Sequence, residues 1–201
     1  AVSIIYKIFG DVTKILSEKK TGDTVELMGP LGNTFTNWKN GSYPILVGGG
    51  VGLAPILNLK HECDSNKVDH TIIIGARTGN EHFMTHEPDN DIYLTSDDGK
   101  NGEKGNVMGP LERIIHEKNN PYIYACGPEP MLEAVGKFAM SNNVPAQLSV
   151  ESYMGCGIGL CQGCVVSRQN GEVKDHSYHQ KYSLVCLDGP VYEAKDIHIG
   201  W

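Results

Sequence analysis

Between Tyr43 and Val150, short apolar runs alternate with longer amphipathic stretches. Pro44-Ile45-Leu46-Val47, Thr71-Ile72-Ile73-Ile74, Ile92-Tyr93-Leu94-Thr95, Tyr122-Ile123-Tyr124-Ala125 and Gln147–Val150 have strand length and favour β-branched and aromatic residues. Apolarity on consecutive positions marks strands covered on both faces. Ala54–His61, Pro110–Glu117 and Pro130–Ser141 read as helices, the last placing Met131, Leu132, Val135, Phe138 and Ala139 on one face. Strand–helix alternation of this kind predicts an α/β domain built on a parallel sheet.

The flanks are patterned differently. Residues 1–40 hold short β-like runs, Ile4–Phe9 and Thr24–Met28, with a helix from Thr13 to Lys19 between them, capped by Thr13 or Asp11. The opening run has no earlier element to pair with, so the chain is expected to begin inside a β-barrel-like domain. Beyond Glu151 helical periodicity stops, and glycine, cysteine and short β pieces (Cys164–Arg168, Ser183–Leu187) dominate. Such a segment is too small to hold a core by side-chain burial alone, and a bound metal or cluster would organise it. The expected division is a partial barrel domain at 1–40, a nucleotide-binding α/β domain at 41–150 and a cluster-binding piece at 151–201.

Composition narrows the function. Seventeen Lys+Arg against 24 Asp+Glu leave a formal charge of −7, and the only arginines are Arg77, Arg113 and Arg168. Both features argue against a nucleic-acid surface. The longest uncharged stretch, Gly41–Leu59, contains glycines, prolines and Asn58, which suit a strand, loop and helix start better than a membrane span. The opening residues carry no secretory signal pattern. A cytoplasmic protein is expected, in which clustered cysteines bind metal or do redox work.

Cys156-x4-Cys161-x2-Cys164, with Cys186 following after 21 intervening residues, has the plant-type [2Fe–2S] spacing. Gly155, Gly157, Gly159 and Gly163 would let the backbone wrap closely, with amides aimed at sulfur. Zinc is the rival: all four cysteines could hold it, or Cys161, Cys164, His176 and His179 as a finger whose histidine spacing is one residue short. Without zinc, His176 and His179 read as loop residues.

A second motif, Gly48-Gly49-Gly50-Val51-Gly52-Leu53-Ala54-Pro55, lies between a buried strand and a helix, where backbone amides can take a pyrophosphate. Arg77 follows the second strand, where an adenosine ribose would lie. No other cation occurs before Lys100, while Glu81, Glu87, Asp89 and Asp91 do, which favours NAD over NADP. Cys126-Gly127-Pro128 closes another strand at its ligand-facing end. Cys63 reads as structural, and Ser96-Asp97-Asp98-Gly99 as a turn.

GGGVGLAP, GAR, SDDG, CGPEPM and ESYMGCGIGLCQGC with the later Cys186 stand in the order seen in ferredoxin–NADP reductase-like proteins. With this C-terminal motif the chain resembles, over nearly its whole length, the electron-transfer subunits of NAD-dependent (class B) dihydroorotate dehydrogenases. Subunits of sulfide dehydrogenase and of electron-bifurcating transhydrogenase are similar, but often have aspartate where Cys156 stands. The resemblance implies a ferredoxin-reductase-like fold: a flavin β-barrel remnant, a parallel-sheet nucleotide domain and a small [2Fe–2S] subdomain. It also implies FAD, NAD and the cluster as cofactors. Electrons would pass from dihydroorotate through FMN on a catalytic partner subunit, then by cluster and FAD to NAD+, in pyrimidine biosynthesis. The implied assembly has two copies of each subunit, with no nucleic acid and no membrane.

Cys156, Cys161, Cys164 and Cys186 would hold the cluster, Gly48, Gly49, Gly50 and Gly52 the NAD pyrophosphate, and Cys126 and Gly127 would lie near the nicotinamide. Tyr6, Gly10, Thr13 and Gly29, the last in the Gly29-Pro30-Leu31-Gly32 turn, remain for the flavin. The family's Arg-x-aromatic-or-Pro-Ser flavin segment has no counterpart at any of the arginines and would precede residue 1. Two other readings stay open: a stand-alone reductase serving another acceptor, and a zinc-stapled nucleotide-binding module without electron transfer.

Overall fold

The computed structural model describes residues 2–169 and 181–199; His176 and His179 fall outside them. The strands are β1 (Tyr43–Gly49), β2 (Thr71–Ala76), β3 (Ile92–Ser96), β4 (Glu103–Lys104), β5 (Pro121–Cys126), β6 (Ala146–Ser149), β7 (Val165–Arg168), β8 (Tyr182–Leu184), β9 (Val191–Glu193) and β10 (Ile197–His198). The helices are α1 (Asp11–Ser17), α2 (Leu53–Ser65), α3 (Met108–Glu117) and α4 (Glu129–Ser141). One sheet runs in the order β4-β3-β2-β1-β5-β6-β9, parallel throughout except for the antiparallel pair β6–β9. A second, antiparallel sheet has the order β10-β7-β8.

The uninterrupted apolar runs explain the layering. Side chains alternate faces along a strand. Ile45, Val47, Ile73, Ile123, Ala125 and Leu148 therefore meet Leu111 and Ile114 of α3 and Leu132, Val135 and Ala139 of α4 in one core. Leu46, Ile72, Ile74, Leu94, Tyr122 and Tyr124 point the other way and gather Leu53, Ile56, Leu59 and Cys63 of α2. The sheet is buried on both faces, as its composition predicts. α2 stops where Lys67 turns left-handed (φ 56°) and the Val68 N–H returns to the Cys63 carbonyl at 2.9 Å.

The N-terminal segment departs from expectation. Ile4–Phe9 and Thr24–Met28 are not strands, and no strand occurs over 2–42. A strand needs a paired neighbour for its backbone groups, and neither run pairs with any described strand. Phe9 is 96% exposed and Leu27 67%. The first helix forms two residues early, at Asp11–Ser17, because Thr13 acts from inside the first turn. Its Oγ1 accepts the N–H groups of Phe9 (2.9 Å) and Gly10 (3.1 Å).

Contacts also cross the expected boundaries at 40 and 150. Phe35 and Trp38 are buried in the α2-side core, Phe35 meeting Tyr124 edge-on at 5.6 Å. After the cluster segment, β9 returns to the main sheet and Ala194 enters the opposite core.

Candidate cofactor and cluster site

Parallel strands bring the C-terminal ends of β1, β2, β3, β5 and β6 to one edge. The chain first builds β2, β3 and β4 to one side of β1 and then β5 and β6 to the other, so the crevice of an open α/β sheet falls between β1 and β5. Gly48 pairs in register with Cys126, and Cys126 with Ser149. A Cβ on Gly52 would lie 2.5 Å from the Gly127 nitrogen, and closer still to the Cys126 carbonyl oxygen. The glycine loop and the Cys126-Gly127 turn thus touch backbone to backbone.

The glycines divide the work. Gly48 and Gly49 are buried strand residues, whose missing side chains make room for Ile74 and Met131. Gly50 is exposed, left-handed (φ 54°) and has open space where a Cβ would stand. Gly50–Gly52 form a single 3-10 turn that runs into α2, the Leu53 N–H returning to the Gly50 and Val51 carbonyls, and Gly52 precedes the helix with no side-chain cap. Pro55, in the first turn of α2, has no N–H to satisfy.

Around this edge, Arg77 is exposed just beyond β2. Asp98 is a turn residue: its Oδ1 accepts the N–H groups of Gly79 (3.0 Å) and Lys100 (3.1 Å). The Lys100 amide leads in holding its carboxyl below the usual range. Cys126 is partly buried; burial pushes its thiol up, Ser149 opposing by a hydrogen bond and the Glu151 charge adding to the rise. Cys63 is fully buried, and burial first, then Asp64 and Glu62, push it to about 11, which suits an inert core thiol.

Of the residues expected at the flavin, Tyr6, Gly10 and Gly29 are exposed, and nothing lies within 4 Å of a Cβ built on Gly10. Thr13 spends its hydroxyl on the α1 cap.

The four C-terminal thiols come together as two pairs. The Cys161 N–H donates to Cys156 Sγ at 3.3 Å, and the Cys186 N–H to Cys164 Sγ at 3.5 Å. Amides of Cys161, Ile158 and Leu160 pull the Cys156 thiol down to about 6. Cys186 moves the other way, through its contact with the Cys164 thiol and then through burial. Among the described residues no three Cys, His, Asp or Glu side chains converge on one point, as a single zinc would need. Two neighbouring thiol pairs fit a two-iron centre, each iron taking one pair. Gly159 is left-handed (φ 80°), and Leu187 packs where its side chain would be, a Cβ there meeting Leu187 Cγ at 2.9 Å.

Residues 46–137 match the oxidoreductase NAD-binding domain model, and residues 151–198 match the iron–sulfur cluster binding domain of dihydroorotate dehydrogenase B. The chain is 37% identical over 196 residues to the dihydroorotate dehydrogenase B (NAD(+)) electron transfer subunit of Caldanaerobacter subterraneus subsp. tengcongensis, covering 98% of this chain and 75% of that protein. The chain belongs to this family of electron transfer subunits. Another member, from Bacillus velezensis, is 37% identical over 98% of this chain and 74% of its own. Among solved structures, the NADH-dependent reduced ferredoxin-NADP oxidoreductase of flavin-based electron bifurcation aligns with a TM-score of 0.79 at 29% identity. That alignment covers 96% of this chain and 67% of the other. Dihydroorotate dehydrogenase B electron transfer subunits are thus ferredoxin-reductase-like oxidoreductase subunits, as the motif order implied. Among the described residues of this member no helix is long and apolar enough to cross a membrane.

Proposed function

We propose that this chain carries electrons for a cytoplasmic complex that oxidises dihydroorotate and reduces NAD+, working beside an FMN-containing catalytic subunit in an assembly of two copies of each. Cys156, Cys161, Cys164 and Cys186 would hold a [2Fe–2S] centre, Cys156 and Cys161 as one pair of ligands and Cys164 and Cys186 as the other. When bound, the cluster supplies one-electron exchange, the flavin one or two, and nicotinamide takes a pair as hydride.

The chain's own residues prepare these sites. Amides of Cys161, Ile158 and Leu160 favour the Cys156 thiolate at neutral pH, the form an iron ligand must take. Gly50 and the glycine turn before α2 receive the pyrophosphate of NAD, Gly48 and Gly49 make room for Ile74 and Met131, and Gly52 lets the loop lie against Cys126 and Gly127. Arg77, exposed just after β2, serves the adenosine side, and Glu81 and Asp97, exposed on the loops after β2 and β3, disfavour a 2′-phosphate. Cys126, its thiol raised by burial, stays protonated and forms a wall beside the nicotinamide. Tyr6, Gly10, Thr13 and Gly29 line the flavin side.

The observation that carries this reading is the arrangement of four thiols in two adjacent pairs beside a strand–glycine–helix nucleotide edge. The test is a visible spectrum of anaerobically purified protein with iron, sulfide and flavin assays. Bands between about 400 and 600 nm, with about two iron and two sulfide per chain, are expected. A colourless protein containing zinc and no sulfide would sink the reading.

A further inference from the structure

The segment over 2–32 lies on the surface, and two residues just beyond it fasten it to different parts of the molecule. Thr36 faces the nucleotide sheet. Its carbonyl accepts the Tyr124 hydroxyl at 2.9 Å, its N–H donates to Gln147 Oε1 at 2.9 Å, and Gln147 Nε2 donates to its Oγ1 at 2.8 Å. Asn33 faces the cluster segment. Asn33 Nδ2 donates to the carbonyls of Asp188 (2.9 Å) and Val191 (2.8 Å), while Oδ1 accepts the Val191 N–H at 2.8 Å. The Asn33 N–H donates to the Gly189 carbonyl at 2.7 Å.

The neighbouring residues tighten this contact. Gly32, left-handed at φ 72°, lies so close that a Cβ would reach 2.5 Å from the Gly189 oxygen. Asp188 in turn takes the Ser183 hydroxyl at 2.7 Å and the Leu184 N–H at 3.0 Å, closing the turn that holds Cys186. Upstream, Met28 and Leu31 rest on the cluster loop, where a Cβ on Gly157 would meet Met28 Cε at 3.6 Å and Leu31 Cδ1 at 3.9 Å.

We propose that Asn33 is a positioning residue for electron transfer: it locks the Gly29–Gly32 turn onto the turn that carries Cys186, and so sets the spacing between flavin and cluster. The proposal rests on the electron-transfer reading above. Asn33 satisfies both edges of Val191 as a neighbouring strand would, and alanine can offer neither donor nor acceptor. Without the side-chain lock the flavin-side turn keeps its tether to the nucleotide sheet through Thr36 but is left with one backbone bond to Gly189 on the cluster side, and its register with the cluster loosens. Hydride delivery from NADH therefore survives, and the later electron step does not.

The experiment mixes NADH with anaerobically purified holoprotein in a stopped-flow instrument, following flavin and cluster bleaching separately. Wild type, Asn33→Ala and Tyr124→Phe are compared, with iron, sulfide and flavin contents and amide exchange at Val191 measured on the same samples. Asn33→Ala is expected to keep its cofactors and its flavin phase, slow the cluster phase about tenfold or more, and speed Val191 exchange. Tyr124→Phe should leave the ratio of the two phases unchanged. If Asn33→Ala loses iron, Asn33→Asp, which keeps only the acceptor for Val191, decides by the same ratio. Unchanged phases, or both phases slowed alike, would overturn the proposal even if exchange at Val191 quickens. A wild type lacking flavin or iron would instead overturn the functional reading itself.

Discussion

Replacing Gly52 with alanine reverses the usual sign of a glycine substitution. Gly52 sits at φ −60° and ψ −6°, a conformation open to any residue. Alanine at such a position ordinarily stabilises by about 0.4–1 kcal/mol, by restricting the unfolded chain. Here the added carbon would stand 2.5 Å from the Gly127 nitrogen, roughly 1 Å inside the about 3.5 Å of a comfortable contact. The obstacle is backbone and cannot rotate aside, so the start of α2 must move away from the end of β5. Overpacking of this kind costs about 1–3 kcal/mol. In a chain of this size, each kcal/mol lowers Tm by about 2–4 °C. Gly109, in the first turn of α3 with nothing within 4 Å of its would-be Cβ, is the internal control, and alanine there should stabilise by about 0.5–1 kcal/mol. Urea unfolding of both variants, with the NADH dependence of flavin reduction, is the assay. Gly52→Ala should lose stability and bind NADH more weakly, while Gly109→Ala gains stability with NADH binding unchanged. Equal shifts in the same direction would refute the argument that the β1–β5 crevice is closed by backbone contact.

Other consequences are as direct. Cys186→Ala should strip iron and sulfide while NADH binding persists, read by metal assay and equilibrium titration. Tyr124→Phe removes the hydroxyl that donates to Thr36 and should cost about 1–2 kcal/mol in urea unfolding, because the Thr36 carbonyl loses its partner. Burial alone would raise the Asp91 carboxyl, but hydrogen bonds from Lys118 (2.8 Å) and Thr71 (3.0 Å) outweigh it and hold it below its ordinary value. Its contribution is therefore complete above the unfolded value of about 4 and fades as pH falls through the lower folded value. Asp91→Asn should flatten the acid limb of the stability–pH curve in that window and, for a partly exposed pair, cost about 0.5–1 kcal/mol at pH 7.

The parallel sheet was legible because strands such as Ile72–Ile74 and Tyr122–Ala125 are apolar on consecutive positions, which only a doubly covered strand tolerates. The gathering of Cys156, Cys161, Cys164 and Cys186 was legible from spacing, since three of the four share one tight loop. The direction of the loop amides, which lowers the Cys156 thiol, goes with left-handed turns at Gly157 and Gly159 that spacing does not specify. β9 escaped notice because Val191-Tyr192-Glu193 is too short for a periodic signal and is recruited by the exposed edge of β6. Phe35 and Trp38 read as part of the N-terminal unit because nothing local says which core they enter. Asn33 and Thr36 carried no signal either: their partners lie between 88 and 158 residues away, and an Asn after glycine looks like an ordinary turn. Ile4–Phe9 and Thr24–Met28 show the converse, since strand propensity without an available edge leaves the backbone unpaired.

The return of β9 to β6 changes how the cluster segment can be manipulated. Ser149 and Val191 are paired neighbours, and the Val150 N–H donates to the Pro190 carbonyl at 2.9 Å, so the segment leaves and re-enters the sheet at adjacent rungs. In architectural terms it is a long insertion in a β-hairpin rather than an appended tail. Cutting the chain after β6 would strip a strand from the sheet and expose a hydrogen-bonding edge that invites aggregation. Excising the segment between Val150 and Pro190 and bridging the gap with a short turn would keep that edge covered. The module does not close at that seam, because β10 comes back to pair with β7, so transplanting the cluster segment into another sheet means carrying the chain through His198.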